Sequence, residues 1–520
     1  MSNCLSKIKE NRETILITAV FAVFPLVCAM VYSILGGQGI ADVYLPASYW
    51  NDELMYYKQV EAVVNYGLPQ GWFGYQESHG SVYPFAVWSP AVLLPWVIWG
   101  ALFGWGLVSP IYANIVYNMI AMAAFGLLVK PTRKQSVFLL ALFAAFTPYS
   151  RYLLSGMPES VYMALGIIMA ALVVSHGRQS KNWKIAAMFA ICVLITLGRP
   201  YLGLLMIFPM WFLVKEKKWI GGLISVAIGG LTAFGYVMIT KLSCASYVVQ
   251  SLETDWLTGL FQDGVAVGFG MLLETIKEKL KMMITYHFAD GIRFGLISGA
   301  MYIVVGVIAL LLAVRSFWAL KKGKDQPIRW ICLLQAFITV GMIAAIFLFY
   351  RLGEGSKHLM IFIVLGMIWI ALLDEKLQLL KLLTMACCLY FFVIKAWAPY
   401  DWQVAYDQGG LRAEAEAFGS QLQANMTLAE TENRYDDTVI WLASDMIDGE
   451  SVAASWGLLY MIPEGFAINF CTQEYVMTNI DQLHSAYVAV LPGGEVDKVL
   501  KKSRTVVVGE SEHMKVYKLR

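Results

Sequence analysis

Long unbroken apolar stretches, separated by short polar and basic joints, set the pattern of this chain. The first runs from Thr14 to Leu35. Others follow at Val108–Val129, Ser136–Tyr149, Ser160–Val174, Ile185–Leu197, Tyr201–Val214, Trp219–Thr240, Phe294–Val314, Trp330–Tyr350, Leu359–Leu373 and Leu379–Trp397. A bilayer core takes about 20 apolar residues per helix, and only helices or closed barrels satisfy their own backbone there. Runs this long and continuous predict helices. The fold class expected is therefore mainly α, a polytopic membrane helical bundle of about eleven spans. A further run, Pro84–Gly104, is equally apolar but is broken by Pro90 and Pro95 and rich in Trp88, Trp96 and Trp99. That composition suits an interfacial helix in the first outer loop.

Charge placement supports that count. With Pro84–Gly104 returning to its own side, every basic cluster falls on one face: Lys7/Lys9/Arg12, Lys130/Arg133/Lys134, Arg178/Lys181/Lys184, Lys215/Lys217/Lys218, Arg315/Lys321/Lys322/Lys324/Arg329 and Lys376/Lys381. The positive-inside tendency then puts the N-terminus in the cytoplasm and the C-terminus outside a cell membrane crossed many times. Thr14 to Leu35 exceeds a signal-peptide core of about 7–15 residues and no small-x-small cleavage site closes it, so it reads as an uncleaved anchor. The expected division is a bundle over 1–398, with outer loops 36–107 and 241–293, and an extracytoplasmic α/β domain over 399–520. That tail carries strand-like runs at Thr438–Ala443, Ala486–Leu491 and Thr505–Val508 and a helical stretch over Gly410–Ala424.

Composition agrees with this reading. The 520 residues are 58% hydrophobic and 15% charged, more apolar surface than a soluble domain buries. A net charge of +2 with no basic block gives no sign of a nucleic-acid partner. The eight cysteines have no metal-ligand spacing and read as packing residues, Cys387-Cys388 included. Asn425-Met426-Thr427 fits a glycosylation sequon.

Candidate chemistry gathers on the outer side. Tyr49-Trp50-Asn51-Asp52-Glu53-Leu54-Met55-Tyr56-Tyr57 sets two carboxylates among aromatic rings just beyond the first span. If helical, it puts acid and Tyr56 on one face; the plainer alternative is a solvated helix start favoured by the dipole, with Glu61 continuing the solvated face. Glu159, after Met157-Pro158, is a second candidate acid or a simple helix opener. Arg199 in Gly198-Arg199-Pro200, and Arg351, Lys357 and His358 in a glycine-rich joint, are cations at membrane depth, where charge is costly and points to function. Snorkelling helix ends are the alternative. Cations beside glycines suit a phosphate. His79 and His287 lack a second histidine at ligand spacing, so the signal for a histidine-based metal site is weak.

Asp52-Glu53-x-x-Tyr56 after the first span, the proline/aromatic helix from Tyr83, the loop Met157-Pro158-Glu159, the short paired spans around Gly198-Arg199-Pro200 and a final outer domain together resemble the C-type superfamily of integral-membrane glycosyltransferases. Protein O-mannosyltransferases and the aminoarabinose transferase of lipid A belong to it. The resemblance implies inverting transfer of a sugar from a polyprenyl-phosphate donor to an acceptor hydroxyl of a glycan, lipid or protein at the outer face. It implies Asp52 as base, Glu53 or Glu159 orienting the acceptor or holding a divalent cation, and Tyr56, Arg199, Arg351, Lys357 and His358 lining the substrate site. In the aminoarabinose branch the interfacial helix opens with a basic residue before a proline pair. Here it reads Val82-Tyr83-Pro84-Phe85, with no counterpart to that basic residue unless His79 replaces it. A transporter or lipid flippase without transferase activity is the alternative reading; it predicts charge near the midplane and repeated halves.

Overall fold

The computed structural model describes residues 2–35, 39–42, 52–67, 73–77, 89–243, 253–284, 295–323, 327–350, 355–373, 411–429, 433–442, 457–503 and 505–519. It is mainly helical with one small sheet. Helices α1 (Ser2–Leu35), α4 (Ser109–Val129), α5 (Arg133–Ala145), α7 (Glu159–Arg178), α8 (Asn182–Gly198), α9 (Ile207–Ser243), α12 (Gly295–Lys321), α13 (Pro327–Phe349) and α14 (Gly355–Leu372) form the bundle. Shorter helices α2 (Asp52–Tyr66), α3 (Leu94–Phe103), α6 (Thr147–Leu153), α10 (Asp255–Gln262) and α11 (Val265–Ile284) sit between them.

Among the described residues, five stretches are long and apolar enough to cross a membrane: Arg12–Ile34, Ser109–Val129, Glu159–Arg178, Pro200–Leu242 and Pro327–Phe349. Pro200–Leu242 holds 43 residues, about twice what a bilayer needs, and it breaks at Lys218, whose φ of 51° lies in the left-handed region. A Cβ on Gly221 would collide with the Leu213 carbonyl, Gly229 meets Met210 and Gly235 meets Leu197. The two halves therefore run antiparallel, matching the separate runs Tyr201–Val214 and Trp219–Thr240. The run Ser136–Tyr149 instead splits at Phe146 into α5 and α6, because Pro148 is tolerated only in the first turn of a new helix. The last apolar run, Leu379–Trp397, lies outside the described residues.

The centre of the bundle is α7, buried along nearly its whole length and packed by α4, α8, α13 and α14. Lipid gives helices no hydrophobic reason to associate, so close approach through small residues does it. Gly166 lets Ile361 of α14 in, and Gly126 lies against the Thr18 backbone of α1.

The C-terminal domain is built on a six-stranded sheet in the order β1-β3-β2-β4-β6-β5. Its strands are β1 (Phe73–Tyr75), β2 (Thr438–Leu442), β3 (Ala467–Cys471), β4 (Tyr487–Val490), β5 (Val506–Glu510) and β6 (Lys515–Lys518). The first four in spatial order are parallel; β6 and β5 close it antiparallel. Central β2 and β4 are buried on both faces, as near-continuous apolar parallel strands should be. The helix Leu411–Asn425 covers one side, and Gln421 and Asn425 hydrogen-bond the backbone of Glu510 and Val508, occupying the edge of β5. The Asn425 amide of the sequon is thus already engaged.

β1 changes the expected domain division. It belongs to the segment between α1 and α4 yet pairs with β3 in register Phe73 to Ile468 through Tyr75 to Phe470. That segment is therefore part of the sheet domain as well as of the bundle. Glu77, just past β1, is buried and accepts from the N–H groups of Ser485 (2.7 Å) and His484 (2.9 Å) and from the Ser485 hydroxyl (2.7 Å).

Candidate active site

One end of the bundle collects the N-termini of α7 and α14, the C-termini of α8 and α13 and the loop between α6 and α7. Asn114 and Asn118 of α4 organise that loop. Asn114 donates to the Ser155 carbonyl (2.8 Å) and accepts from the Trp96 indole (3.1 Å); Asn118 donates to the Ser160 carbonyl (3.1 Å) and accepts from the Tyr149 hydroxyl (3.2 Å). Buried amides that satisfy backbone carbonyls fix a non-helical turn that would otherwise be costly at this depth. Neither amide stands out in the sequence; each is a single polar residue within an apolar run.

The turn presents Gly156 to α2. Its N–H donates to Glu53 at 3.1 Å, and the Glu53 side chain packs against it. Glu53 is fully buried, so the first turn of α2 is not a solvated helix start. Asp52 is the first residue of that helix, one position away; its side chain lies outside the described residues. Tyr56, on the next turn and on the same face, is buried with its ring 6.2 Å from Trp96. Glu61 is buried as well, against the expectation of a solvated face, because the C-terminal domain covers that side of α2. Burial foremost, and the Glu464 carboxylate after it, push its carboxyl above the usual range, while Lys58 at 2.8 Å opposes them.

Glu159 opens α7 and meets Arg199 at 2.6 Å. Arg199 closes α8, is 0% exposed, and lies 6.0 Å from the Tyr162 ring, with Tyr56 and Tyr201 close enough to feel its charge. The residue before it, Gly198, leaves room for the Tyr162 hydroxyl, which a Cβ there would displace. Pro200 then starts a short 3-10 helix, Pro200–Met206, that carries Tyr201 back toward the cluster. The Tyr201 hydroxyl lies 3.0 Å from His358 Nδ1, and the Tyr350 ring packs on both, 5.5 Å from Tyr201 and 5.9 Å from His358.

The structure thus joins Glu53 to the Glu159 loop, Glu159 to Arg199, and His358 to the tyrosines around Arg199. Lys357 is in the first turn of α14 beside His358, with its side chain outside the described residues; Arg351 and His79 lie outside them altogether. Sequence reading missed Tyr162, Tyr201 and Tyr350, which look like ordinary apolar-run aromatics until the chain folds. The expectation that Glu53 or Glu159 holds a divalent cation meets carboxylates already engaged by Gly156 and Arg199. Among the described residues, the group of three possible ligands close enough to share an ion is Glu414, Glu512 and His513, in the C-terminal domain.

Chemically the arrangement offers buried carboxylates at a helix start, a buried guanidinium facing one of them, and an aromatic wall between. The helical hairpin of α10 and α11 roofs the neighbouring helix end: Trp256 donates to the Leu348 carbonyl (3.2 Å) and Lys279 to the Tyr350 carbonyl (2.9 Å).

No protein-family model matches the sequence, and no curated protein matches it. Solved structures do. The apo oligosaccharyltransferase from Archaeoglobus fulgidus is 10% identical, with a TM-score of 0.51 over 92% of this chain and 69% of that one. The oligosaccharyltransferase AglB from the same organism, in complex with an inhibitory peptide and a dolichol-phosphate, gives 0.50 over the same shares at 10% identity. ArnT from Cupriavidus metallidurans bound to undecaprenyl phosphate is 11% identical, with a TM-score of 0.49 over 96% of this chain and 98% of that one. The chain shares its fold with the two Archaeoglobus fulgidus oligosaccharyltransferase structures.

Proposed function

We propose that this chain is an inverting membrane glycosyltransferase that moves a sugar from a polyprenyl-phosphate donor to an acceptor hydroxyl at the outer membrane face. The observation that carries the reading is the buried constellation at one bundle end, with the Asp52-Glu53 turn against the Glu159 loop and Arg199 and the tyrosines behind it. It stands on a fold shared with an oligosaccharyltransferase captured with a dolichol-phosphate. The cations Lys130, Lys134 and Lys181 sit at the opposite end of the bundle, in keeping with that end facing the cytoplasm and with the sheet domain outside.

In this mechanism the Asp52 carboxylate takes the proton of the acceptor hydroxyl as its oxygen attacks the anomeric carbon. The bond from that carbon to the phosphate oxygen breaks, and its electron pair leaves with the polyprenyl phosphate. Glu53 fixes the turn through Gly156, so the base is held without searching for its geometry. Arg199, neutralised by Glu159, orders the aromatic wall, while Lys357, Arg351 and His358 receive the charge that grows on the leaving phosphate.

Asp52→Asn in proteoliposomes supplied with a polyprenyl-phosphate sugar and its acceptor should abolish transfer while the protein keeps its unfolding temperature and still binds the donor. Undiminished turnover in that variant would remove Asp52 as the base. Movement of the lipid across the bilayer by the wild-type chain, with no sugar transferred to any hydroxyl acceptor, would favour a flippase instead.

A further inference from the structure

α2 carries the acidic pair on its first turn and is gripped from two sides. Glu53 ties its start to the bundle through Gly156. A little over one turn along, Lys58 ties it to the C-terminal domain: its ammonium, on a residue 1% exposed, donates to the Ile462 carbonyl at 2.7 Å and to Glu61 at 2.8 Å. Ile462 lies just before β3. Beside it Tyr57 packs edge-on to Tyr460 at 5.0 Å and stacks on Trp105 at 5.7 Å, whose indole donates to the Tyr57 carbonyl.

A buried ammonium is an expensive way to fill space. Removing it and its carboxylate from water costs more than their attraction commonly returns, and a methionine of similar length would bury as much apolar surface without that cost. What methionine lacks is direction. The ammonium holds one carbonyl of the domain and one carboxylate of α2 at fixed distances, so it sets the height and angle of the helix against the sheet. The same helix presents Asp52-Glu53 to the Glu159 loop.

Resting on the transferase reading above, we propose that Lys58 is a positioning residue, through which the C-terminal domain holds the acidic turn of α2 in catalytic register. The domain is then a working part of the site, and whatever moves it moves the base.

The test uses the full chain in proteoliposomes. Lys58→Met should lower kcat about tenfold or more, since misplacement of a catalytic group by an ångström costs up to about 100-fold, and leave the donor KM within about twofold. Lys58→Arg, which can still donate to both acceptors, should restore most of the rate. The double variant Lys58→Met/Glu61→Leu removes the buried pair as a unit and should fold at least as well as wild type, yet stay slow. Backbone hydrogen exchange over 52–66 should rise in both methionine variants with no change over 159–178. Wild-type kcat in the double variant, or exchange that rises equally in α7, would overturn the proposal. If the wild-type chain transfers no sugar, the transferase reading fails by itself, and exchange still decides whether Lys58 holds α2.

Discussion

Glu159 and Glu77 are both buried carboxylates on the site end of the molecule, and their surroundings differ in kind. Glu159 faces a guanidinium at 2.6 Å. Glu77 faces dipoles: two backbone N–H groups and a hydroxyl, at 2.7 to 2.9 Å. Fixed dipoles cannot be withdrawn without unfolding residues 484–485, so the Glu77 site is architecture. It locks the turn after β1, where Gln76 and Glu77 hold left-handed φ values of 48° and 57°. The fork of Arg199 is instead a buried side-chain charge, and Glu159 meets it directly. Sheet domain and bundle end therefore hold their carboxylates differently: one by fixed dipoles, the other by an opposite charge.

The largest break in that comparison is Arg199→Met. It strands the Glu159 carboxylate, and loss of one partner of a buried pair costs about 3–5 kcal/mol. The unfolding midpoint in detergent should fall accordingly and transfer should cease. Glu159→Gln/Arg199→Met, which removes both charges, should recover most of the stability but not the activity. A single variant as stable as wild type would mean that the pair is not closed in the folded protein. Next comes Glu77→Leu, which leaves the N–H groups of His484 and Ser485 buried without an acceptor. At about 1–3 kcal/mol for an unsatisfied group, the damage should appear as faster exchange and proteolysis over 73–77 and 484–485, with α7 untouched. Protection spread evenly between the two regions would erase the distinction drawn above.

Much of this fold is legible in the sequence, and the reasons are physical. Apolar runs long enough to span a bilayer announce themselves, and so do β2 and β4, whose apolar continuity marks buried strands, and the valine run of β5, which is a strand although Val506 and Val507 are exposed. β1 does not: Phe73-Gly74-Tyr75 is too short for periodicity, and its partner Ile468-Asn469-Phe470 is far along the chain. The same distance hides the burial of Glu61, since only the folded domain covers it. Glu159 and Arg199 are separately conspicuous as charges at span ends. Their pairing is not, because it depends on how α7 and α8 meet.

The smallest effect comes from a third carboxylate, Glu414, which has both kinds of donor at once. His513 offers its ring nitrogen at 2.8 Å and its backbone N–H at 3.0 Å. Partial burial alone would raise the Glu414 carboxyl, but the His513 and Ser511 hydrogen bonds outweigh it and hold it below the usual range. A carboxyl depressed in the folded state adds stability above its unfolded value, near 4.3, and that stability is lost as pH falls through the lower folded value. The pair is half open to water, so about 1 kcal/mol or less is at stake. Unfolding temperatures measured from neutral pH down through the carboxylate range should fall slightly less in Glu414→Gln than in wild type. The amide keeps an acceptor for the His513 N–H but has no charge to lose. Added salt should narrow the gap between the two proteins, since only the ring contact is screened; a gap that salt leaves unchanged would put Glu414 with Glu77, among the carboxylates held by dipoles.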